Sequence, residues 1–449
     1  MLIRNRVLNW CDKTIYWSII AVPFVASFSS AAVKIFSGFM IFAFLLKKIL
    51  AKDFTFAKTP INLPFMLIIG VSILSFVNSV NIRPSLQGIV KLLNFGFFII
   101  IMAGEIKDKK HFTRILCAIF LGLLLASLDG IYQLIFKVDF FRHKPYDVMI
   151  GLPRLKAAFP HTNIFAGYLA LFLPVSIPLL LYYLKKPLPG ITPIGKYFKP
   201  LQLLFSIIKN KKKLILLIIS LLGSFCLLFT FCRSAIIGVW FVILLMGIIR
   251  KDKIVIFLAV MVFLITPFFL PNSIKDWAKA TKSFGELLFN KERLIIYETS
   301  FNMIKSHPFL GVGVNTYVLN YQEYKLHDTT PGTANTRWYA HNSYLQMAAE
   351  IGLIGLLIFL YLLFKLFNGW KKFYSKSNDN FLKISSLGIL MGISAFLIHG
   401  LTETNLYYSK LVILFWFQVS LLLWIISSND DNRSCPDVTS GQDDKPAKL

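Results

Sequence analysis

The stretch Leu214–Phe231 reads LILLIISLLGSFCLLFTF and contains no charged residue. An uncharged run of this length can cross a bilayer as a helix, which takes about 17–25 mostly apolar residues. Applied along the whole chain, the same criterion predicts about twelve spans, at 14–28, 31–47, 62–78, 86–104, 112–135, 163–184, 213–232, 234–249, 254–270, 344–367, 382–401 and 410–427. We therefore predict an all-α polytopic integral membrane protein of about 12 transmembrane helices. The first two spans are short and are joined only by residues 27–30.

The composition also indicates a membrane protein. Of the 449 residues, 56% are hydrophobic and 16% are charged, whereas about a quarter of the residues in soluble domains are charged. This balance excludes a disordered chain, a collagen and a small disulfide scaffold, and the five cysteines show neither paired nor metal-ligand spacing. The net charge of +26 comes from short basic clusters between apolar runs. Such clusters are typical of loops at an anionic membrane face and not of nucleic-acid binding.

Lysine and arginine are concentrated in alternate loops, most strongly at Lys209–Lys213. Because positive charge accumulates in cytoplasmic loops, we predict that both termini are cytoplasmic. The predicted domains are a membrane domain at 1–428 and a disordered cytoplasmic tail at 429–449. The membrane domain includes a large outer loop at 271–343, which is long enough for one or two amphipathic helices lying over the membrane but too short for a domain with a large core of its own.

Arginine is frequent on the outer side, where positive charge is expected to be scarce. Six arginines fall there: Arg83, Arg142, Arg154, Arg233, Arg293 and Arg337. The guanidinium group suits bidentate recognition of phosphate or carboxylate, whereas lysine suits a general membrane-face charge. Two explanations remain open: the outer arginines form an anion site, or their excess is chance in a small sample.

The strongest local signal is the segment Ala340–Gln346, followed by Met347–Gly352 in the tenth span. Asn342 or Ser343 is predicted to be the N-cap, which places His341 at the outer mouth of this span. The partial positive charge of a helix N-terminus favours a neutral imidazole, and a neutral imidazole can act as a general base toward a hydroxyl. A surface histidine without a role is the alternative.

Charged residues in or beside spans are further candidates. Glu350 lies one turn after Gln346 on the same face of the tenth span, where it is either part of a site or a structural tie to a neighbouring helix. Arg233 lies between two apolar runs, and it either binds an anion or anchors the chain at the membrane interface. Two polar pairs, Asp129 with Gln133 and His399 with Glu403, are either satisfied core pairs or parts of a site.

Two more arginines occur beside predicted helices. Arg154 precedes Phe159–Asn163 at the mouth of a span, and Arg293 begins an amphipathic stretch that runs to about Ile304. That stretch is predicted to end at Ser306-His307-Pro308, before a tight turn.

Several motifs are missing from the sequence. It has no Walker A loop, no H-E-x-x-H and no G-x-S-x-G, so ATP hydrolysis, zinc proteolysis and serine hydrolysis have no support. No outward acidic cluster of the kind that holds Mg²⁺ is present either.

In their order along about 150–360, these elements resemble the O-antigen ligase family of bacterial membrane glycosyltransferases, which includes related O-antigen polymerases. The elements are Arg154 with Phe159–Leu169, Cys232-Arg233-Ser234, Arg293 through His307–Gly313, and His341–Gly355. The most specific is the His341 block with the preceding Pro-x-x-Gly-x-Gly. The chain departs from the family pattern at Thr162, where the family often has Pro, and at Cys232, where it often has Ser.

The resemblance implies a multi-pass C-type glycosyltransferase of the bacterial inner membrane, with its active site and the loop 271–343 facing the periplasm. The enzyme would move a glycan from undecaprenyl diphosphate to an acceptor sugar hydroxyl, of the lipid A–core type in a ligase of lipopolysaccharide biosynthesis. The implied partners are this donor, the glycan acceptor and membrane lipids. No nucleic acid, cofactor or metal is implied.

The resemblance also assigns roles to residues. His341 would be the catalytic base, and Arg154, Arg233 and Arg293 would bind the diphosphate of the substrate. Possible site support comes from Arg337, His161, Asn163, Asn342 and Glu350.

The chemistry of the residues agrees with these roles. Diphosphate is a good leaving group, so the site mainly needs positive charge where negative charge develops, and an activated donor makes ATP unnecessary. Attack opposite the diphosphate would invert the anomeric configuration.

Two alternatives remain open. One is a polysaccharide polymerase that joins carrier-linked repeat units, because both kinds of enzyme share these motifs. The other is a lipid-glycan transporter, for which about twelve spans and an intramembrane Asp129 are also suitable. Convergence of the three arginines with His341 at one outer cavity favours a transferase, whereas a midplane site open alternately to both sides favours transport.

Overall fold

The computed structural model describes residues 2–149, 151–185, 209–269, 291–325 and 339–428. These residues form fourteen α-helices and one short hairpin. The helices are α1 (Leu2–Val25), α2 (Ser30–Ala51), α3 (Asn62–Leu74), α4 (Ile82–Glu105), α5 (Lys109–Phe136), α6 (Thr162–Lys185), α7 (Lys211–Phe229), α8 (Arg233–Ile249), α9 (Lys253–Ile265), α10 (Lys291–Ser306), α11 (Tyr317–Tyr324), α12 (Ser343–Lys376), α13 (Asn380–His399) and α14 (Ser409–Ser427). Strands β1 (Asp147–Met149) and β2 (Leu152–Arg154) pair antiparallel, with Asp147 opposite Arg154.

Within the described residues, seven helices are long and apolar enough to cross a membrane: α4, α5, α6, α7, α12, α13 and α14. Of three shorter apolar helices, Asn62–Asn78 precedes α4, whereas Arg233–Ile249 and Lys253–Ile265 lie between α7 and α12 in sequence. The prediction of an all-α multi-pass membrane protein is therefore confirmed. Each of the twelve predicted spans overlaps a helix, but twelve crossings remain a prediction.

Contacts between helix ends that are distant in sequence group the loops at two ends of the bundle. At the predicted cytoplasmic end, Lys47 Nζ lies 2.7 Å from Glu105 Oε2, and Lys109 Nζ lies 2.5 Å from Asp379 Oδ2. At the predicted periplasmic end, Leu155 N donates to Phe229 O at 3.0 Å. The candidate site residues that the structure describes lie at or near this second end.

The centre of the bundle is α6, which packs most extensively on α13 and also contacts α7 and α8. A Cβ at Gly392 of α13 would overlap the carbonyl oxygen of Leu171 in α6. Small residues allow such close approach of helix backbones where lipid gives no hydrophobic drive for association. Gln418 of α14 donates from Nε2 to the same Leu171 carbonyl at 3.3 Å. These contacts fix α6, whose first turn carries part of the candidate site.

Helix α12 is kinked at Ile351 and Gly352, where the backbone leaves helical geometry and Gly352 has φ 73°. The carbonyls released by the kink accept hydrogen bonds from the Pro-x-x-Gly-x-Gly turn. Val312 N donates to Ala349 O at 2.8 Å, and Gly313 N donates to Glu350 O at 3.0 Å. In return, Leu353 N donates to Pro308 O at 2.8 Å. The motif therefore fixes the helix that begins two residues after His341.

The hairpin between α5 and α6 was not predicted from the sequence. Gln133 of α5 fixes the segment that follows the hairpin, because its Oε1 accepts from Lys156 N at 3.0 Å and from Ala157 N at 2.9 Å. Asp129 Oδ1 accepts from Phe140 N at 2.7 Å. Asp129 and Gln133 thus connect α5 to the segment after it through hydrogen bonds. Of the two alternatives for this pair, the structure favours a structural role over a part in the site.

Helices α10 and α11 lie in the predicted outer loop 271–343, of which the structure describes 291–325 and 339–343. The predicted amphipathic helix from Arg293 to about Ile304 is confirmed as α10, which ends at Ser306 as expected. The predicted tail at 429–449 lies outside the described residues.

Candidate active site

Glu403 is the centre of the polar cluster at the predicted periplasmic end. It lies in the loop between α13 and α14, and its side chain is only 3% exposed. Its Oε1 accepts from Arg293 Nη2 at 2.7 Å and from Asn163 Nδ2 at 2.7 Å. Its Oε2 lies 3.3 Å from Nδ1 of His341. One buried carboxylate thus joins three residues that were singled out from the sequence.

The position of His341 follows from the start of α12. Asn342 is the N-cap, because its side chain accepts from Tyr344 N at 2.9 Å and from Leu345 N at 3.0 Å, as predicted. Ser343 N donates to Gly400 O at 2.8 Å, and Ser343 Oγ donates to Glu403 O at 2.8 Å. The start of α12 is therefore fixed to the loop that carries Glu403.

His341 itself has a left-handed backbone, with φ 46°. This conformation is uncommon for a residue with a side chain and is often associated with functional sites. Tyr297 of α10 donates from its hydroxyl to His341 O at 3.3 Å. The strained backbone is thus held from two sides, by the N-cap of α12 and by α10.

The Glu403 contact selects the tautomer of His341. A carboxylate accepts hydrogen bonds, so His341 Nδ1 carries the proton in this pair. Nε2 then has the basic lone pair. A histidine oriented through Nδ1 by a carboxylate, with Nε2 as the base, is the arrangement that general-base catalysis uses.

Three arginines lie around this pair. Arg154, the last residue of β2, donates from Nε to Thr230 O at 2.9 Å and from Nη2 to Asn163 Oδ1 at 3.0 Å. Arg293 also donates from Nη1 to Thr402 O at 3.0 Å. Arg233 is the first residue of α8 and interacts electrostatically with both Arg154 and Arg293. The three come from different segments of the chain and meet at one place.

A second layer of polar contacts holds Asn163. His399 lies within hydrogen-bond distance of Asn163 O through Nε2 at 3.2 Å and of Ser234 Oγ through Nδ1 at 2.9 Å. Since the carbonyl can only accept, Nε2 of His399 carries the proton and Nδ1 accepts from the Ser234 hydroxyl. This chain joins α6, α8 and α13 beneath the arginines.

The charge of Glu403 is maintained by its neighbours. Burial by itself would raise the pKa of Glu403, but the hydrogen bond from His341 and the charges of Arg293 and His341 outweigh it and lower the pKa below its usual value. Glu403 is therefore ionised at neutral pH. Within the described residues, the cluster contains three arginines and one carboxylate, a composition that suits a ligand with several negative charges.

Residues 218–360 match the family model described as O-antigen ligase. Within these residues the chain is similar to the O-antigen ligase family. No curated protein matches the chain significantly. The recognition from the sequence motifs is thereby confirmed.

The O-antigen ligase domain contains Arg233, Arg293 and His341, whereas Arg154 and Glu403 lie outside the matched residues. The fold places these two beside the domain's own residues. The cluster is therefore built from more of the chain than the matched domain alone.

The other predicted support residues have different positions. His161 is exposed, and its carbonyl accepts from Ile164 N at 3.1 Å at the start of α6. Glu350 lies away from the cluster, where Oε2 accepts from Asn315 N at 2.7 Å and Oε1 from Gln346 Nε2 at 3.2 Å. Glu350 connects α12 to the turn before α11. This is the structural role that the sequence analysis gave as the alternative to a place in the site. Arg337 lies outside the described residues.

The two departures from the family pattern lie next to the cluster. Thr162 Oγ1 donates to Asp147 Oδ2 at 2.8 Å, and Lys156 Nζ lies 2.5 Å from Asp147 Oδ1. Burial would raise the pKa of Asp147, but the hydrogen bonds from Lys156 and Thr162 outweigh it and lower that pKa. Cys232 is buried, with Sγ 3.8 Å from Ser234 Oγ.

Glu403 was noticed in the sequence only as half of a pair with His399. Its link to His341 crosses 62 positions of the chain, and no local pattern indicates such a contact. The available signal was an acidic residue at the mouth of a span, on the side where the arginines are frequent. In the part of the chain that the structure describes, no group of three or more His, Cys, Asp or Glu residues could hold a metal ion.

Proposed function

We propose that the chain is an O-antigen ligase-like glycosyltransferase. It moves a glycan from undecaprenyl diphosphate to a sugar hydroxyl of an acceptor of the lipid A–core type. The reaction takes place on the outer face of the inner membrane. The observation that carries the proposal is the oriented His341–Glu403 pair beside Arg154, Arg233 and Arg293.

His341 is the general base in this proposal. Glu403 orients the ring through Nδ1 and stabilises the positive charge that forms when Nε2 takes the proton of the acceptor hydroxyl. A positioned base contributes about 10²–10⁴-fold to a rate.

The arginines bind the diphosphate and stabilise the charge on it as the glycosidic bond breaks. Their guanidinium groups supply fixed positive charge where negative charge develops, which is often the largest contribution to catalysis. The donor is already activated, so the reaction consumes no ATP. Attack from the face opposite the diphosphate inverts the anomeric carbon.

The position of the cluster supports a transferase over a transporter. Arg154 ends β2, Arg233 begins α8, His341 lies just before α12 and Arg293 lies in α10. None of the four is therefore in the middle of a predicted span. An alternating-access transporter is expected to have its site near the midplane, at the interface of repeats.

The direct test is glycan transfer by the purified full-length protein from an undecaprenyl-diphosphate-linked glycan. We expect His341→Ala to abolish transfer while the protein still inserts and purifies. The matched control is His143→Ala, because His143 also has a left-handed backbone, with φ 54°, and is exposed on the segment between α5 and α6. Near-normal transfer by His341→Ala would refute the role of the base.

The glycan on the carrier in cells that lack the protein distinguishes a ligase from a polymerase. Long polymer on the carrier means that transfer to the acceptor is missing, as we propose. Accumulated single repeat units mean that polymerisation is missing and would replace the ligase proposal.

A further inference from the structure

A cavity of about 490 Å³ lies among α2, α3, α4, α12 and α14. This volume is in the range of ligand-binding pockets. Most of its wall is apolar and aromatic, including Phe95, Phe98 and Trp416. Neither His341 nor any of the three arginines is among its lining residues. The cavity is therefore separate from the arginine cluster.

Two lysines line the cavity toward the predicted periplasmic end. Lys34 is in the second turn of α2, and Lys91 is nine residues into α4, about 13 Å along that helix. The two ammonium groups are close enough to repel each other. A charged side chain so far inside an apolar helix is costly and usually marks a ligand site or an ion pair.

The described residues supply only weak partners for these charges. Lys91 Nζ donates to the neutral Asn315 Oδ1 at 2.9 Å. Within the described part of the chain, neither lysine has a carboxylate oxygen within 4.0 Å. Glu350 attracts Lys91 at longer range, but its own oxygens already accept from two backbone N–H groups and Gln346. Two lysines facing one carboxylate leave a surplus of positive charge.

The two parts of the cavity require different chemistry from one ligand. The lysines require an anion, and the aromatic wall requires an apolar chain. A soluble anion satisfies only the lysines, whereas a lipid with phosphate groups beside its acyl chains satisfies both.

Helix α2 packs mainly on α1 and contacts α4 only lightly. The cavity therefore lies behind a helix that is weakly attached on that side.

The cavity also reaches toward the proposed base. Met347 lines it, six residues after His341 on α12, and so does Leu406, three residues after Glu403. The arginine cluster is built from β2, α8 and α10, none of which lines the cavity. A ligand in the cavity and a diphosphate at the arginines would thus approach His341 through different elements.

We propose that this cavity binds the lipid acceptor, a glycolipid with phosphate groups next to its acyl chains. The phosphates pair with Lys34 and Lys91, and an acyl chain lies against Phe95, Phe98 and Trp416. This inference rests on the proposed transferase function and assigns its acceptor to a site of its own.

The first test measures lipid binding by native mass spectrometry of the purified full-length protein. The probes are diphosphorylated lipid A, its dephosphorylated form, undecaprenyl diphosphate and phosphatidylglycerol. We expect the double variant Lys34→Gln/Lys91→Gln to weaken binding of diphosphorylated lipid A about tenfold or more, because charge-assisted hydrogen bonds are lost. Binding of undecaprenyl diphosphate should not change. The control Lys305→Gln removes an exposed lysine of α10 and should leave every probe unaffected.

Three results would overturn the assignment. Equal binding of phosphorylated and dephosphorylated lipid A would remove the role of the lysines. A loss of undecaprenyl diphosphate binding in the double variant would assign the cavity to the donor. An equal loss of phosphatidylglycerol would make the cavity a site for bulk phospholipid.

A second test fills the cavity without touching the lysines. Gly38 of α2 lines the cavity, and a Cβ added there meets nothing within 4 Å. We expect Gly38→Trp to fold and to lose binding of diphosphorylated lipid A. The matched control is Gly70→Trp in α3, because a Cβ at Gly70 also meets nothing within 4 Å and Gly70 does not line the cavity. Equal binding by the two variants would contradict the proposal.

The two proposals fail in different ways. Suppose that lipid binding depends on the lysines but the protein transfers no glycan. The transferase function would then be refuted, and the bound lipid could not be called an acceptor. The cavity would remain a binding site for an anionic lipid. Lysine-independent binding by a protein that transfers glycan would refute the site and leave the function.

Discussion

Glu403 Oε2 lies 3.3 Å from His341 Nδ1, although 62 positions separate the two residues in the chain. The contact exists because Ser343, the first residue of α12, is hydrogen-bonded to Gly400 and Glu403. The histidine and its carboxylate are therefore fixed by the backbone of two adjoining segments. The same carboxylate binds Arg293, so the proposed base and the proposed anion site share one residue.

The first prediction concerns this shared carboxylate. Glu403→Gln should lower the transfer rate by about 10²–10⁴-fold, the range that a general base contributes, because the amide does not stabilise a protonated His341. Glu403→Asp keeps the charge and should retain more activity than Glu403→Gln. Initial rates of the purified variants measure both effects. Equal rates for the two variants would mean that the charge of Glu403 has no part in the reaction.

The second prediction concerns the shape of the Arg233 side chain. Arg233→Lys keeps the charge but loses the planar group that binds phosphate through two nitrogens, so most activity should disappear. The control is Arg83→Lys, because Arg83 is an exposed arginine near the start of α4. Initial rates at several donor concentrations measure the effect. Similar losses in both variants would indicate a general charge effect at this end of the bundle.

Much of the fold could be predicted from apolar run lengths. Each predicted span overlaps a helix because the criterion that predicts it, burial of apolar side chains, is also what stabilises it. The N-cap at Asn342 and the end of α10 at Ser306 depend on residues adjacent in sequence. The local sequence was therefore enough to predict both.

Features that depend on contacts distant in sequence could not be predicted. The kink at Gly352 is stabilised by hydrogen bonds from the turn at Pro308–Gly313, and the sequence of α12 alone gives no sign of it beyond a glycine. The site shows the same limit. Its histidine and arginines stand out as unusual residues at the mouths of spans, whereas the role of Glu403 depends on which loop packs against α12.

The third prediction tests the kink. A Cβ at Gly352 would overlap the carbonyl oxygen of Phe309. The backbone there, with φ 73° and ψ 176°, lies in a region essentially restricted to glycine and costs another residue about 1–3 kcal/mol. Gly352→Ala should therefore lower the midpoint of thermal unfolding and reduce transfer, since α12 begins two residues after His341. Gly70→Ala is the control, because a Cβ there meets nothing within 4 Å and Gly70 does not line the cavity. An unchanged midpoint in Gly352→Ala would show that the kink is not a tight constraint.

The last prediction concerns stability in acid. Because the fold lowers the pKa of Glu403 below its usual value near 4.5, the folded protein favours the ionised carboxylate. This contribution to stability is fully present above about pH 4.5 and is lost as the pH falls through the lowered pKa of the folded state. The thermal midpoint of the wild-type protein should thus fall over this acidic range more than that of Glu403→Gln. Glu323→Gln, which removes an exposed carboxylate of α11, should follow the wild type. Parallel acid profiles for Glu403→Gln and the wild type would contradict the ion pairing of Glu403 with Arg293 and His341.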